Sequence, residues 1–217
     1  MREKTKSAQE QYLEANFGLP DEDLKAIQEE MICQHCEGMA LSTPELRILQ
    51  FLIRLNGARR VLEIGTLFGR SSLALARALP DDGQLVTIER SAVNHGVAQG
   101  FFEKSPEASR IRSLLGDAKE VLKTLENEPP FDFILIDADK AGYLDYLLWA
   151  EKHLRVGGVI VGDNSFLWGG VWDDPEADVK AATAEKMKEF NRRLADPERY
   201  SSMVIPTAEG MTVAQKR

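Results

Sequence analysis

Oxygen-bearing side chains follow two apolar segments in the second half of the chain. Asp137 ends the run at 134–136, and Asp163 and Asn164 come just after the run at 159–161. Carboxylate and amide oxygens are the ligands that Mg²⁺, Mn²⁺ or Ca²⁺ prefer, whereas zinc favours sulfur and imidazole. Three protein oxygens around an octahedral ion leave positions for two substrate oxygens and a water. The sequence therefore predicts a divalent-cation site.

Lys140 lies three residues beyond Asp137, within reach of the same site. A lysine amine beside a metal-bound hydroxyl can accept its proton. We therefore expect Lys140 and Asp137 to act in catalysis, although a lone lysine is more often a solvated surface charge.

A glycine turn in the first third of the chain stands between an apolar run and a helical pattern. Gly65 and Gly69 allow a tight turn and a close approach to a ligand. The spacing lacks the third glycine of the dinucleotide fingerprint Gly-x-Gly-x-x-Gly. Glu63, just before the turn, would repel a pyrophosphate but suits a cationic or hydrogen-bond-donating ligand. With Ser71 at the start of the following helix, the turn predicts a cofactor site without phosphates.

Two further positions extend this site toward a nucleoside. Glu89 lies more than 20 residues past Gly65, where an acidic residue can accept hydrogen bonds from both ribose hydroxyls. Asp117 and the backbone amide of Ala118 could bind the edge of an adenine. Asp117 could equally be the N-cap of the next helix, and one residue can do both.

Strands and helices alternate beyond residue 58, which predicts a doubly wound α/β sheet. Continuous apolar runs are typical of central parallel strands. We expect strands near 60–65, 84–89, 110–115, 131–137, 157–163, 200–206 and 210–216, with a helix over 71–79. No helical pattern separates the last two strands, so they should form a hairpin that adds an antiparallel strand. Ligands bind beyond the carboxyl ends of such strands, where all the candidate residues lie.

Three helical patterns precede the sheet, at 7–16, 21–37 and 44–56. Asp21 and Thr43 are the expected N-caps, with Pro44 at the first helical position. Cys33 and Cys36 have the spacing of a metal or redox pair, but no second pair completes a zinc site. We expect two reduced thiols on one helix.

The composition narrows the classes of function. With 217 residues, 43% of them hydrophobic, the chain should be one globular domain, residues 1–57 supplying N-terminal helices and 58–217 the core. A net charge of −8 disfavours a nucleic-acid partner. No stretch approaches the ~20 apolar residues of a membrane span, and the N-terminus has no signal-peptide pattern. We therefore expect a cytoplasmic protein.

Five motifs together carry a specific resemblance. They are Val-Leu-Glu-Ile-Gly-Thr-x-x-Gly-x-Ser at 61–71, Asp-Ala-Asp-Lys at 137–140, Val-Gly-Gly-x-Ile at 156–160, Asp-Asn at 163–164 and Gly-Met-Thr-Val-Ala-Gln-Lys at 210–216. From about Met39 to the C-terminus the chain resembles the cation-dependent O-methyltransferases of the class I S-adenosylmethionine fold. The similar branches are the caffeoyl-CoA and catechol O-methyltransferases and their bacterial counterparts. The fold implied is a mostly parallel, seven-stranded, Rossmann-like methyltransferase sheet.

The resemblance also implies roles for residues. Those implied to hold S-adenosylmethionine are Met39, Leu41, Glu63, Gly65, Thr66, Ser71, Glu89, Asp117, Ala118 and Asp139. Asp137, Asp163 and Asn164 match the metal ligands of these enzymes, and Lys140 matches their general base. The implied reaction is methyl transfer to a catechol-like phenolic small molecule, by a homodimer that pairs through its N-terminal helices.

Three features differ from these enzymes. Position 70 is Arg where they usually have Tyr, and the segment after Asn164 is one residue longer than theirs. Their N-terminal segment for acyl-CoA esters is not recognisable. Phe166, Trp168 and Trp172 could form aromatic walls around a flat acceptor, or could simply pack in the interior or an interface.

Two other functions fit parts of the pattern. An NAD-dependent dehydrogenase could use a similar sheet, but the missing glycine and the predicted metal ligands disfavour it. A non-catalytic S-adenosylmethionine-binding protein would be expected to have lost the metal ligands or the lysine, and all four residues are present.

Overall fold

The computed structural model describes residues 8–18 and 21–217, and its centre is one seven-stranded sheet. The strands are β1 (Arg60–Ile64), β2 (Gln84–Glu89), β3 (Ile111–Leu115), β4 (Phe131–Ile136), β5 (Leu154–Gly162), β6 (Tyr200–Ile205) and β7 (Met211–Lys216). Their order is β3-β2-β1-β4-β5-β7-β6. Strands β1 to β5 are parallel, and β7 runs antiparallel to both of its neighbours. The predicted α/β fold with a C-terminal antiparallel hairpin is confirmed.

Eight α-helices accompany the sheet in the described part of the chain. They are α1 (Ala8–Phe17), α2 (Glu22–Cys33), α3 (Thr43–Asn56), α4 (Arg70–Ala76), α5 (Ala92–Phe102), α6 (Ala118–Thr124), α7 (Tyr143–His153) and α8 (Ala181–Leu194). The predicted start of the first helix at residue 7 lies outside the described residues. None of these helices is long and apolar enough to cross a membrane.

The continuous apolar runs arise because both faces of the sheet are covered. Along β4, Phe133 and Leu135 face one apolar layer, whereas Ile134 and Ile136 face the other. The first layer includes residues of α2, α3, α4 and α5, and the second includes residues of α6, α7 and α8. A strand that is buried on both faces loses the polar alternation of a half-exposed strand.

Sequence prediction placed three boundaries wrongly. Helix α2 ends at Cys33 instead of residue 37, because His35 adopts a left-handed backbone with φ of 57°. Cys33 and Cys36 are both free, as expected, but Cys36 lies beyond the helix. Strand β5 begins at Leu154, three residues before its predicted start. Helix α4 ends at Ala76, three residues before its predicted end at 79.

The N-cap of α3 is Ser42, one residue before the predicted Thr43. The Ser42 hydroxyl accepts a hydrogen bond from the Glu45 amide, and the Glu45 carboxylate accepts one from the Ser42 amide. This capping box satisfies two backbone donors at once and places Pro44 second in the helix. The predicted N-cap of α2, Asp21, is confirmed, since its carboxylate accepts from two backbone amides.

An ion-pair cluster joins the N-terminal helices to the sheet layer. The Arg77 guanidinium, which follows α4, contacts Asp21 and Asp23 at the start of α2 and Glu107 before β3. Its side chain is only 19% exposed. Loss of one member of such a cluster leaves partly buried charges without a partner.

We expect Arg77→Ala to lower the free energy of unfolding by about 2–3 kcal/mol, since three carboxylates lose their common partner. Urea denaturation followed by circular dichroism measures this. The matched control is Arg192→Ala, which removes an exposed pair with Glu189 and should cost less than about 0.5 kcal/mol. Equal losses in the two variants would contradict the structural role of Arg77.

Candidate active site

A cavity of about 910 Å³ opens at the carboxyl ends of β1 to β5. This is where the strand order reverses between β1 and β4, the usual ligand site of an open α/β sheet. Nearly all residues that the sequence predicts for the site line this cavity. They are Met39, Leu41, Gly65, Thr66, Ser71, Glu89, Asp117, Ala118, Asp137, Asp139, Lys140, Asp163 and Asn164. Glu63 is the exception, because it is buried within β1.

Hydrogen bonds align the turns that bear these residues. The backbone amides of Gly65, Asp137 and Asp163 each donate to the last or next-to-last carbonyl of a neighbouring strand, at 2.9–3.1 Å. Gly65 has φ of +104°, and a Cβ there would collide with the carbonyl of Asp137. The predicted need for glycine is therefore explained by contact between two turns, in addition to any contact with a ligand.

The Glu63 carboxylate lies in a buried hydroxyl network. Thr87 and Ser72 donate hydrogen bonds to Oε2, the former at 2.6 Å, and Thr66 pairs with Thr87 at 2.6 Å. Oε1 has no hydrogen-bond partner among the described residues. Burial raises the pKa of Glu63 to about 7, although the hydroxyl donors oppose this shift. Thr87 was not predicted, but it stands beside Glu63 in the β1–β2 register as a polar residue in an apolar strand.

Two of the predicted nucleoside residues also organise local backbone. The Glu89 carboxylate accepts from the amides of Leu67 and Ser91, both at 2.8 Å, so it braces the glycine turn. Asp117 is the N-cap of α6 and accepts from the Lys119 amide at 2.9 Å. Capping is thus one role of Asp117, and it leaves the side chain on the cavity wall.

The corner between β4 and β5 contains the predicted metal ligands. Asp163 is 6% exposed, and its Oδ1 has no hydrogen-bond partner in the described part of the chain. Burial, and then the nearby charge of Asp137, raise the pKa of Asp163 well above its ordinary value. Residues 8–18 and 21–217 contain no group of three His, Cys, Asp or Glu that could hold a metal ion. The side chains that could hold one at this corner are the Asp137 and Asp163 carboxylates together with the Asn164 amide. The Asp137 and Asp163 carboxylates repel each other, and Asp163 Oδ1 is buried without a partner among the described residues. Both features fit a hard divalent cation.

Lys140 is held at this corner by two neighbours. Its Nζ donates to Asp137 Oδ1 at 3.2 Å and to the Tyr143 hydroxyl at 2.6 Å. The Tyr143 hydroxyl can itself donate to the backbone carbonyls of Ile136 or Asp163, at 3.1 and 2.9 Å. Sequence reasoning missed Tyr143, although its spacing of three residues from Lys140 was a usable signal.

Asp139 has a similar partner that sequence reasoning also missed. The Tyr146 hydroxyl donates to Asp139 Oδ1 at 2.6 Å, and Tyr146 lines the cavity. This hydrogen bond orients a carboxylate that would otherwise be free to turn into solvent.

Arg70 connects the cavity's N-terminal wall to the glycine turn. Its guanidinium donates to the Leu41 carbonyl at 2.6 Å and to the Thr43 hydroxyl at 3.0 Å. Met39, which is 68% exposed, lies on the same wall. Arg70 therefore links the start of α4 to the segment at 41–43, which contributes Leu41 to the cavity lining.

Trp168 and the residues Ala208 and Glu209 from the β6–β7 turn form another part of the cavity wall. Of the three aromatic residues considered for this wall, only Trp168 lines the cavity. Phe166 and Trp172 pack against each other, with ring centroids 5.4 Å apart. Trp172 is 57% exposed, so this aromatic pair packs at the surface and not in the interior.

A buried acidic corner and a glycine turn share one cavity at the switch point of a doubly wound sheet, which is where open α/β enzymes bind their ligands. The chain belongs to the O-methyltransferase family, whose model matches residues 17–217. The resemblance drawn from the sequence, and the predicted O-methyltransferase activity, are thereby confirmed.

The similar proteins are of the expected kinds. A catechol O-methyltransferase of Niastella koreensis is 34% identical, over 84% of this chain and 82% of its own. A caffeoyl-CoA O-methyltransferase of Populus kitakamiensis is 29% identical, over 96% and 93% of the two chains. The O-methyltransferase TomG from Streptomyces achromogenes, whose crystal structure is in complex with SAM, is 33% identical in sequence. The two structures match with a TM-score of 0.89, over 97% of this chain and 96% of the TomG chain.

The raised pKa of Glu63 predicts a pH dependence of stability in the ligand-free protein. Between pH 4.5 and about 7 the folded state binds more protons at this site than the unfolded state, so stability falls as pH rises through this window. A shift of this size corresponds to about 3 kcal/mol between pH 4 and pH 8. In Glu63→Gln, the free energy of unfolding should fall less between pH 4 and pH 8, by about this amount. Denaturant titration at a series of pH values measures it. Asp163 lowers stability with rising pH in the wild type and in Glu63→Gln alike. Parallel curves of unfolding free energy against pH for the two proteins would therefore count against the prediction for Glu63.

Proposed function

We propose that this protein is a divalent-metal-dependent enzyme that transfers a methyl group from S-adenosylmethionine to one hydroxyl of a catechol-like acceptor. One observation carries the proposal: the nucleoside-type wall and the acidic corner with Lys140 face the same cavity of about 910 Å³. A methyl donor and a metal-held acceptor can therefore be enclosed together, as direct transfer between them requires.

The methyl donor would occupy the side of the cavity near β1 to β3. Glu63, Gly65, Thr66 and Ser71 would hold its methionine part, and Asp139 its amino acid end. Support comes from the unpaired Oε1 of Glu63, since a buried carboxylate oxygen without a partner is costly until a donor reaches it.

The remaining cofactor residues would enclose the nucleoside. Glu89 would accept from the ribose, Asp117 and Ala118 would contact the adenine, and Met39 and Leu41 would cover the methionine part. The Arg70 hydrogen bond to the Leu41 carbonyl favours this closed arrangement in the absence of ligand. S-adenosylmethionine, when bound, supplies the methyl group.

The cation would be held by Asp137, Asp163 and Asn164. When bound, it would orient both oxygens of a vicinal diol and lower the pKa of the reacting hydroxyl. The unpaired buried Oδ1 of Asp163 and the closeness of a second carboxylate support this assignment, because a cation would relieve both.

Lys140 would accept the proton of the attacking hydroxyl. Hydrogen bonds to Tyr143 and Asp137 restrict its amine to the acidic corner, so proton transfer needs no large side-chain movement. The acceptor oxygen and the donor's sulfonium neutralise each other during transfer. Apolar residues on the wall, such as Ile64, Leu67 and Ile88, limit water access and favour that loss of charge.

The alternatives have weaker support. Membership of the O-methyltransferase family favours methyl transfer over an NAD-dependent dehydrogenase. A non-catalytic S-adenosylmethionine-binding protein would not need Asp137, Asp163, Asn164 and Lys140 together. The cytoplasmic location, the homodimer, the single-domain organisation and the choice of metal all stay predictions.

Methyl transfer should depend on a divalent cation. We expect the purified protein to methylate members of a panel of catechols, caffeoyl esters and flavonoids with labelled S-adenosylmethionine. Treatment with EDTA should lower turnover by at least about 100-fold, and excess Mg²⁺ or Mn²⁺ should restore it, because only the cation can fix and acidify the diol. S-adenosylhomocysteine binding, measured by calorimetry with and without EDTA, is the control. Full turnover after chelation would exclude the metal-dependent mechanism.

Lys140→Ala should lower kcat by about 100- to 10,000-fold, the range typical of a lost general base. The dissociation constant of S-adenosylhomocysteine should change by less than about threefold, since Lys140 belongs to the acidic corner. Steady-state kinetics and calorimetry give the two quantities. Lys123→Ala is the matched control, because that lysine pairs with Glu120 on the surface of α6. Unchanged kcat in Lys140→Ala would remove this residue from the mechanism.

A further inference from the structure

The loop after β5 has an unfavourable backbone. Asn164, Leu167 and Trp168 all have φ near +50°, a left-handed conformation that residues with a side chain rarely adopt. Such a segment keeps its shape only where the surrounding structure holds it. The loop is also the place where the chain is one residue longer than the enzymes it resembles.

The start of this loop is held by several hydrogen bonds to Ser165. Its hydroxyl donates to the Gly162 carbonyl at 3.0 Å and accepts from the Thr212 amide at 3.2 Å. The Asn191 side chain donates to the Ser165 carbonyl at 2.8 Å. Ser165 is fully buried, so Asn164 stands next to a firmly fixed residue.

The end of the loop has a different support, the turn between β6 and β7. The Phe166 amide donates to the Glu209 carbonyl at 2.8 Å, and the Phe166 ring lies on Gly210, where a Cβ would approach it to 2.7 Å. The Trp168 amide then donates to the Glu209 carboxylate at 3.1 Å. Trp168 is 53% exposed, so packing alone does not fix it.

Glu209 therefore connects two parts of the cavity wall. Glu209 and Trp168 both line the cavity, and so does Asn164, which lies on the same loop as Trp168. Leu167 is also held by burial and by its own amide, which donates to the Asn164 carbonyl at 2.9 Å. Without the hydrogen bond to Glu209, the half-exposed Trp168 could relax to a more favourable backbone, and its side chain would then leave its place in the cavity lining.

We propose that Glu209 is a positioning residue, whose carboxylate accepts the Trp168 amide and so fixes the acceptor wall. The part that concerns the acceptor rests on the proposed methyl transfer; the hydrogen bond and its effect on the loop do not. What the role requires is a hydrogen-bond acceptor at this position, not a negative charge. A glutamine keeps such an acceptor and removes the charge, so it separates the two properties.

The test compares Glu209→Ala and Glu209→Gln with the wild type. Glu198→Ala is the control, because Glu198 is an exposed glutamate just before β6 and its loss changes the net charge equally. Amide hydrogen exchange at Trp168, followed by NMR, reports the hydrogen bond directly. Kinetics with varied acceptor and calorimetry with S-adenosylhomocysteine report its consequence.

In Glu209→Ala we expect exchange at the Trp168 amide to accelerate by about tenfold, the equivalent of one lost hydrogen bond. The acceptor KM should rise by about the same factor, with a smaller change in kcat and with S-adenosylhomocysteine affinity within about twofold. Glu209→Gln and Glu198→Ala should resemble the wild type in every measurement.

Unchanged exchange at Trp168 in Glu209→Ala would overturn the proposal, and so would a Glu209→Gln variant as impaired as Glu209→Ala. The latter result would assign the effect to the charge of Glu209. If the wild type transfers no methyl group to any acceptor, the proposed function fails, while the exchange rates still decide the role of Glu209 in the loop.

Discussion

The contact between Gly65 and the main chain of Asp137 is the constraint on which the rest of the site depends. These residues directly follow β1 and β4, the two strands between which the order of the sheet reverses. A Cβ at position 65 would push the two turns apart, and its φ of +104° would be strained in any other residue. The contact therefore brings the glycine turn against the first residue of the acidic corner, and both line one cavity.

Hydrogen bonds between the strand ends extend this arrangement along the sheet. Gly116 donates to the Glu89 carbonyl, Gly65 to Ile88, and Asp163 to Ile136. Each turn thus begins at the same level, although the strands come from distant parts of the sequence. The side chains that carry the chemistry are consequently placed by the backbone register, and their own packing only adjusts them. This explains why the predicted residues that follow β1, β2, β3, β4 and β5 line a single cavity.

The same logic explains what the sequence could and could not predict. Every strand except β5 was placed within one residue. For β1 and β4, an apolar run followed by glycine or aspartate marks both the strand and its functional end. The partners of the chemical groups were harder to find. Tyr143 and Thr87 matter because of a three-dimensional neighbour, and neither belongs to a motif with Lys140 or Glu63. The helix boundaries near His35 depend on a local left-handed residue that propensity does not favour.

The buried acids of the site reduce the stability of the empty protein, and this cost indicates how the ligands should act. Glu63 and Asp163 each have an oxygen without a hydrogen-bond partner among the described residues, and burial raises the pKa of both. A ligand that donates a hydrogen bond to Glu63, or a cation that binds Asp163, removes the free-energy cost of burying that carboxylate without a partner. Since each ligand binds the folded state alone, each should stabilise it by mass action. Glu63 lies on β1 and Asp163 follows β5, with β4 between them, so the two penalties are relieved at separate places along the same edge of the sheet.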